Sequence, residues 1–127
     1  MKKYVLVTGA AQGIGLAVAR RYASKGWYVG LYDLNGEGVE KLLASGEFPA
    51  ACGGHCDVTK TDSLQAMFDD FSAHSEGRLD LFVNNAGVLA AGDFVEIPVA
   101  QHDLIVDVNV RGATNALQLA FPLLKNT

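Results

Sequence analysis

The sequence predicts an α/β protein, a doubly wound parallel sheet with helices on both faces. Three observations predict it. Short apolar runs alternate with segments of helical period four times along the 127 residues, the order that builds parallel strands with crossover helices. The runs are apolar almost throughout, as in strands buried on both faces, and do not alternate apolar with polar. A glycine-bearing stretch, Thr8-Gly9-Ala10-Ala11-Gln12-Gly13-Ile14-Gly15, joins the first run to the first helix. Right-handed crossovers then give an expected strand order of 3-2-1-4. A crevice forms across the carboxyl ends of strands one and four, where the winding reverses.

The first strand is Tyr4-Val5-Leu6-Val7. The helix after it carries Ile14, Ala17, Val18, Arg21 and Tyr22 at helical spacing and closes at Gly26, a residue suited to a left-handed cap. The second strand, Trp27 to Tyr32, ends in Asp33 and the turn Asn35-Gly36. Glu37 to Ala44 reads as a short helix with Val39, Leu42 and Leu43 on one side, ended by Gly46 and Pro49. The third strand, Ala50 to Cys56, has the weakest signal, with two glycines and no β-branched residue. Thr59 and Asp62 form a start signal for the third helix, whose Leu64, Met67, Phe68 and Phe71 follow the i, i+3, i+4, i+7 pattern of a core face. Asp69-Asp70 falls on its solvated side.

Leu79 to Val83 reads as a buried fourth strand, followed by Asn84-Asn85 and a glycine-containing loop to Glu96. Pro98 is placed in the first turn of the last helix, where its missing N–H is harmless. That helix takes its apolar face from Leu104, Ile105, Val108, Gly112 and the run from Ala116. Pro122 is expected to kink or end it. No role follows for His55, His74 or His102, the last read as a surface residue at the helix start.

The glycine stretch carries the strongest chemistry. Strand, glycine turn and helix form the order that a dinucleotide pyrophosphate requires. Glycine permits the tight turn and lets backbone approach phosphate, and the helix offers unpaired N–H groups and the positive end of its dipole. Asp33, about 20 residues on, is placed to accept hydrogen bonds from ribose hydroxyls. No Lys-Ser/Thr pair follows the last glycine, which disfavours a nucleoside triphosphate loop. Asp57 and Asn85 fall at the ends of strands three and four, beside the same crevice.

The spacing Gly9-x-x-x-Gly13-x-Gly15, preceded by Thr8, resembles that of the short-chain dehydrogenase/reductase family. Cys56-Asp57-Val58-Thr59 is similar to the family's third-strand motif, which meets adenine. Asn84-Asn85-Ala86-Gly87 resembles its fourth-strand motif, and Asn109, in Asp107-Val108-Asn109-Val110-Arg111-Gly112, its active-site asparagine. The landmarks run in the family's order across nearly the whole chain. The resemblance implies a Rossmann-like fold. It also implies hydride transfer between nicotinamide and an alcohol or carbonyl carbon of a small-molecule substrate. Cofactor contacts are then expected from Gly9, Gln12, Gly13, Ile14, Gly15, Asp33, Asp57, Val58, Asn85, Ala86 and Gly87, and a catalytic water-holding role for Asn109. A helical asparagine has a second use, bonding backbone groups across a distorted turn. The loop after the fourth strand borders substrate in this family, which places Phe94 and Ile97 beside a pocket. NAD is favoured over NADP, because the Asp33 carboxylate repels a 2′-phosphate and its neighbours Gln12 and Leu34 are neutral.

The family's catalytic serine and Tyr-x-x-x-Lys pair have no counterpart here. After Asn109 there is no Ser or Tyr and only Lys125, and no Tyr has Lys four positions later. The expectation is one dinucleotide-binding domain, residues 1–127, cut before its catalytic region, with an incomplete sheet and no activity alone. The alternative is a complete, non-catalytic nucleotide-binding or interaction module. Oligomeric state stays open, although the last helix commonly contributes to a dimer interface in relatives.

Composition agrees with a globular chain. It is 50% hydrophobic and 19% charged, with a net charge of −4 and scattered Lys and Arg, so there is no nucleic-acid footprint. No apolar run reaches the roughly 20 residues of a membrane span, nor the core of a signal peptide, and a cytoplasmic location is expected. Cys52-Gly53-Gly54-His55-Cys56 has one residue too many for a dithiol motif and no evident fourth metal ligand. It reads as two free thiols around a buried strand.

Overall fold

The computed structural model describes residues 1–127. Four parallel strands, β1 (Tyr4–Thr8), β2 (Tyr28–Asp33), β3 (Ala51–His55) and β4 (Leu81–Val83), form one sheet in the order β3-β2-β1-β4. This is the expected 3-2-1-4. In register, Val5 lies beside Val29 on one side and Leu81 on the other.

Side chains of a strand point alternately to its two faces, and this splits the core in two. Val5, Val7, Val29 and Leu31 face Ala19 of α1 (Gly13–Ser24) and Val39 of α2 (Gly36–Ala44). Tyr4, Leu6, Tyr32 and Cys52 face the other way. There Leu64, Met67, Phe68 and Phe71 of α3 (Thr61–Ser75) meet Ala116 and Ala120 of α5 (Ala113–Lys125). The four α3 residues expected as core are all buried.

Gly26 takes a left-handed φ of +82° just past α1. Asn35 caps α2, its Oδ1 accepting from the Gly38 N–H at 3.0 Å. The start signal for α3 is corrected. That helix begins at Thr61 after Lys60, with no side-chain cap. The Thr59 N–H and hydroxyl are instead both committed to Asp57 Oδ1, at 3.0 and 2.7 Å, so Thr59 belongs to the preceding turn. Asp69 and Asp70 are both exposed, as expected, and Asp70 also accepts a 2.7 Å hydrogen bond from the Tyr32 hydroxyl.

β4 is shorter than expected and only half-buried, because nothing pairs with its outer edge; Leu79, just before it, is the buried residue. Pro98 precedes the last helix, which runs without a gap as α4 (Val99–Val106), a π-helical turn over Asp107–Gly112 and α5. Pro122 does not end α5, which runs on to Lys125. It costs one hydrogen bond near the end, and the Asn126 N–H still reaches the Pro122 carbonyl at 3.2 Å. No helix is long and apolar enough to cross a membrane.

Candidate dinucleotide cleft

The carboxyl ends of all four strands open onto one cleft of about 470 Å³. Thr8 and Gly9 come from β1, Tyr32 and Asp33 from β2, Cys56, Asp57 and Val58 follow β3, and Asn85, Ala86 and Gly87 follow β4. Gln12, Gly13 and Ile14 at the start of α1 complete the wall beside Gly9. Strands far apart in sequence converge here because a parallel sheet aligns their ends.

The glycines have separate reasons. Gly13 has a φ of +60° with open space around it, so it is required by conformation alone. Gly15 is required by space. A Cβ there would lie 2.1 Å from the Gly9 carbonyl oxygen and 2.7 Å from Asn85 Nδ2. Gly15 thus lies behind the cleft wall, holding α1 close to β1 and to the turn after β4. No side chain caps α1, and its first-turn N–H groups stay available where Gly13 and Ile14 line the cleft.

Asp33 braces the loop from the opposite side. Its Oδ2 accepts from the Ala11 N–H at 2.9 Å and its Oδ1 from the Asn35 N–H at 2.9 Å. Each oxygen retains acceptor capacity toward the cleft. The Asp57 carboxyl is held below the ordinary carboxylate range, chiefly by the Thr59 hydroxyl. Burial pushes the Cys56 thiol up. Cys52 and Cys56 are both free and buried.

Two residues deepen the site. Thr8 Oγ1 accepts from the Asn85 N–H at 3.0 Å and the Ala86 N–H at 3.1 Å, clamping the turn after β4 to the end of β1. Its signal in the sequence was a hydroxyl at the end of an apolar run. Val88 lines the cleft as well, and its backbone is held by Asn109. The Val88 N–H donates to Asn109 Oδ1 at 2.9 Å, and Asn109 Nδ2 donates to the Val88 carbonyl at 2.8 Å. Asn109 is exposed and does not itself line the cleft. Phe94 and Ile97, expected beside a substrate pocket, do not line the dinucleotide cleft; Phe94 is 75% exposed with its ring against His102. His102 is half-buried there, its Nε2 3.1 Å from the Phe94 carbonyl.

With this geometry, the comparison with known proteins is direct. The sequence profile described as short chain dehydrogenase matches residues 3–127. The chain belongs to the short-chain dehydrogenase family. It is 42% identical over 112 residues to D-threitol dehydrogenase of Mycolicibacterium smegmatis, covering 87% of this chain and 43% of that protein. It is 35% identical over 125 residues to meso-2,3-butanediol dehydrogenase of Serratia marcescens, covering 98% and 49%. The crystal structure of 3-ketoacyl-(acyl-carrier-protein) reductase from Brucella melitensis complexed with NADH superposes with a TM-score of 0.89 at 30% identity. The match covers 98% of this chain and 51% of that one. The chain therefore spans about half the length of these short-chain dehydrogenases.

Proposed function

We propose that the chain supplies the dinucleotide-binding half of a nicotinamide-dependent oxidoreductase acting on a small alcohol or carbonyl compound. The observation that carries this reading is the convergence of an uncapped α1 N-terminus, the Asp33 carboxylate and the turn Asn85-Ala86-Gly87 on one cleft. Those groups fit a dinucleotide. The N–H groups of Gly13, Ile14 and Gly15 suit the pyrophosphate. Asp33 Oδ1 and Oδ2 suit the adenosine ribose hydroxyls, and the Asp57-Val58 backbone suits the adenine. Gly9, Gln12, Asn85, Ala86 and Gly87 shape the path toward the nicotinamide. When bound, the nicotinamide supplies a hydride donor or acceptor.

Asn109 enters as a positioning residue through its two bonds to Val88, alongside the water-holding role that family resemblance gives it. The general acid–base pair of the family, a Tyr with a Lys that lowers its pKa, and the serine that holds the carbonyl oxygen have no counterpart among residues 1–127. Residues 1–127 then act as one domain.

NAD is the proposed cofactor in preference to NADP. A 2′-phosphate would sit against the Asp33 carboxylate, with neutral Leu34 beside it. Titration calorimetry of the full chain with NADH and NADPH tests this. NADH should bind more tightly, and Asp33→Ala should narrow the gap. Tighter NADPH binding by the unaltered protein would overturn the choice of NAD.

A further inference from the structure

On the face of the sheet covered by α3, the fold collects three metal-ligating side chains that the sequence keeps apart. Cys52 lies on β3 with its thiol buried. Asp70 and His74 stand one turn apart on α3, about half exposed. One ligand atom from each lies within 4.8 Å of the other two. The i, i+4 spacing puts carboxylate and imidazole on one side of the helix, over the strand that holds the thiol.

The cluster is already ordered. The Tyr32 hydroxyl donates to Asp70 Oδ2 at 2.7 Å and lies 3.5 Å from Cys52 Sγ. Its proton is directed to Asp70, and the Cys52 sulfur lies beside the tyrosine oxygen. His74 Nδ1 lies 2.8 Å from the Asp70 carbonyl oxygen and 3.8 Å from its Oδ1, which orients the ring.

We propose that Cys52, Asp70 and His74 form a site for a borderline divalent transition metal of the zinc class. Sulfur, nitrogen and carboxylate donors together favour zinc, cobalt or copper over magnesium or calcium. Thiolate and carboxylate supply two negative charges against a dication. Bond lengths of about 2.0–2.3 Å put tetrahedral ligand atoms roughly 3.5 Å apart. The three atoms must close by about 1 Å, within reach of the torsions of the half-exposed Asp70 and His74. The open side leaves a fourth position for water.

On binding, the S–H bond of Cys52 breaks, a sulfur–metal bond forms and the proton goes to solvent, with no change of oxidation state. The metal would tie the edge strand β3 to α3. It would also draw Asp70 from Tyr32, the neighbour of Asp33.

Cobalt(II) added to the full chain tests the site without recourse to activity. One equivalent should produce sulfur-to-metal charge-transfer absorption in the near ultraviolet with visible d–d bands, and zinc should remove both. Cys52→Ser should abolish the near-ultraviolet band. His74→Ala, at a solvent-facing helix position that leaves the core intact, should weaken cobalt binding about tenfold or more. No near-ultraviolet band at one equivalent, a band that survives Cys52→Ser, or unchanged affinity in His74→Ala would each overturn the proposal.

Discussion

The side chain of Asn109, in the π-helical turn between α4 and α5, makes both of its hydrogen bonds with the backbone of Val88, in the loop after β4. One amide group thereby satisfies a donor and an acceptor that no strand or helix serves. Gly112, in the same turn, permits the approach of this segment to the cleft, since a Cβ there would lie 2.9 Å from the Val58 carbonyl oxygen. The turn and the loop are one mechanical unit.

Asn109→Ala should therefore loosen the loop from Asn84 to Gly92. At about 1 kcal/mol for each hydrogen bond, the loss is roughly 2 kcal/mol, confined to that loop and the turn. Amide hydrogen exchange at Val88 should accelerate, while β1 and β2 keep their protection. Unchanged exchange at Val88 would show that other contacts hold the loop.

The glycines separate by mechanism. Gly15→Ala should destabilise by about 1–3 kcal/mol or more, because the new methyl group meets fixed backbone. Gly13→Ala should cost about 1–2 kcal/mol through its left-handed φ alone. Gly54→Ala, with open space and an ordinary φ, should be neutral or stabilising by about 0.4–1 kcal/mol. Denaturant melts of the three variants give the order. A Gly15→Ala variant as stable as Gly54→Ala would contradict the packing account.

Asp57 gives a pH dependence of definite sign. Its folded-state pKa is lowered from the ordinary 3.8, first by the Thr59 hydroxyl. A carboxyl depressed on folding stabilises the fold above its unfolded pKa, and the contribution is lost as pH falls through the folded value. Thr59→Val should raise the Asp57 midpoint toward 3.8, followed by carboxyl NMR titration. Its Tm deficit should be present at neutral pH and shrink below pH 3.8. A deficit independent of pH would remove the electrostatic cause.

Most of the fold was legible because its signals are local and redundant. The apolar runs, the α3 core stripe and the glycine turn each specify an element without help from elsewhere. The strand order followed from handedness rules that hold for any such alternation. What stayed illegible was set at long range. β3 carried little strand signal because Gly53 has no room for a side chain, a Cβ there lying 2.1 Å from the Leu31 carbonyl oxygen. The cap at Thr59 failed because Asp57, two residues earlier, competed for the hydroxyl. The π-helical turn in the last helix was only half legible: Asn109 could be read as bridging a distorted turn, but its backbone partner, Val88, lies 21 residues away.

The candidate site divides in the same way. Ten of the twelve residues expected there, all but Gly15 and Asn109, line the cleft, because they sit at strand ends, which topology gathers, or at the start of α1 beside the end of β1. The positions of Phe94 and Ile97 outside this cleft were not legible, because the path of a ten-residue loop, Asn84 to Asp93, is not fixed by its composition. Thr8 is the reverse case, a single hydroxyl whose two backbone partners lie 77 and 78 residues on.

The central claim is that this cleft binds a nicotinamide dinucleotide through the α1 N-terminus and the turn after β4. The most direct test is two-dimensional amide NMR of the full chain titrated with NAD⁺. The account predicts the largest shifts at Gly13, Ile14 and Gly15, with a second group at Asn85, Ala86 and Gly87 and little change along α2. Saturating NAD⁺ without shifts at the α1 N-terminus, or with shifts centred elsewhere, would contradict it.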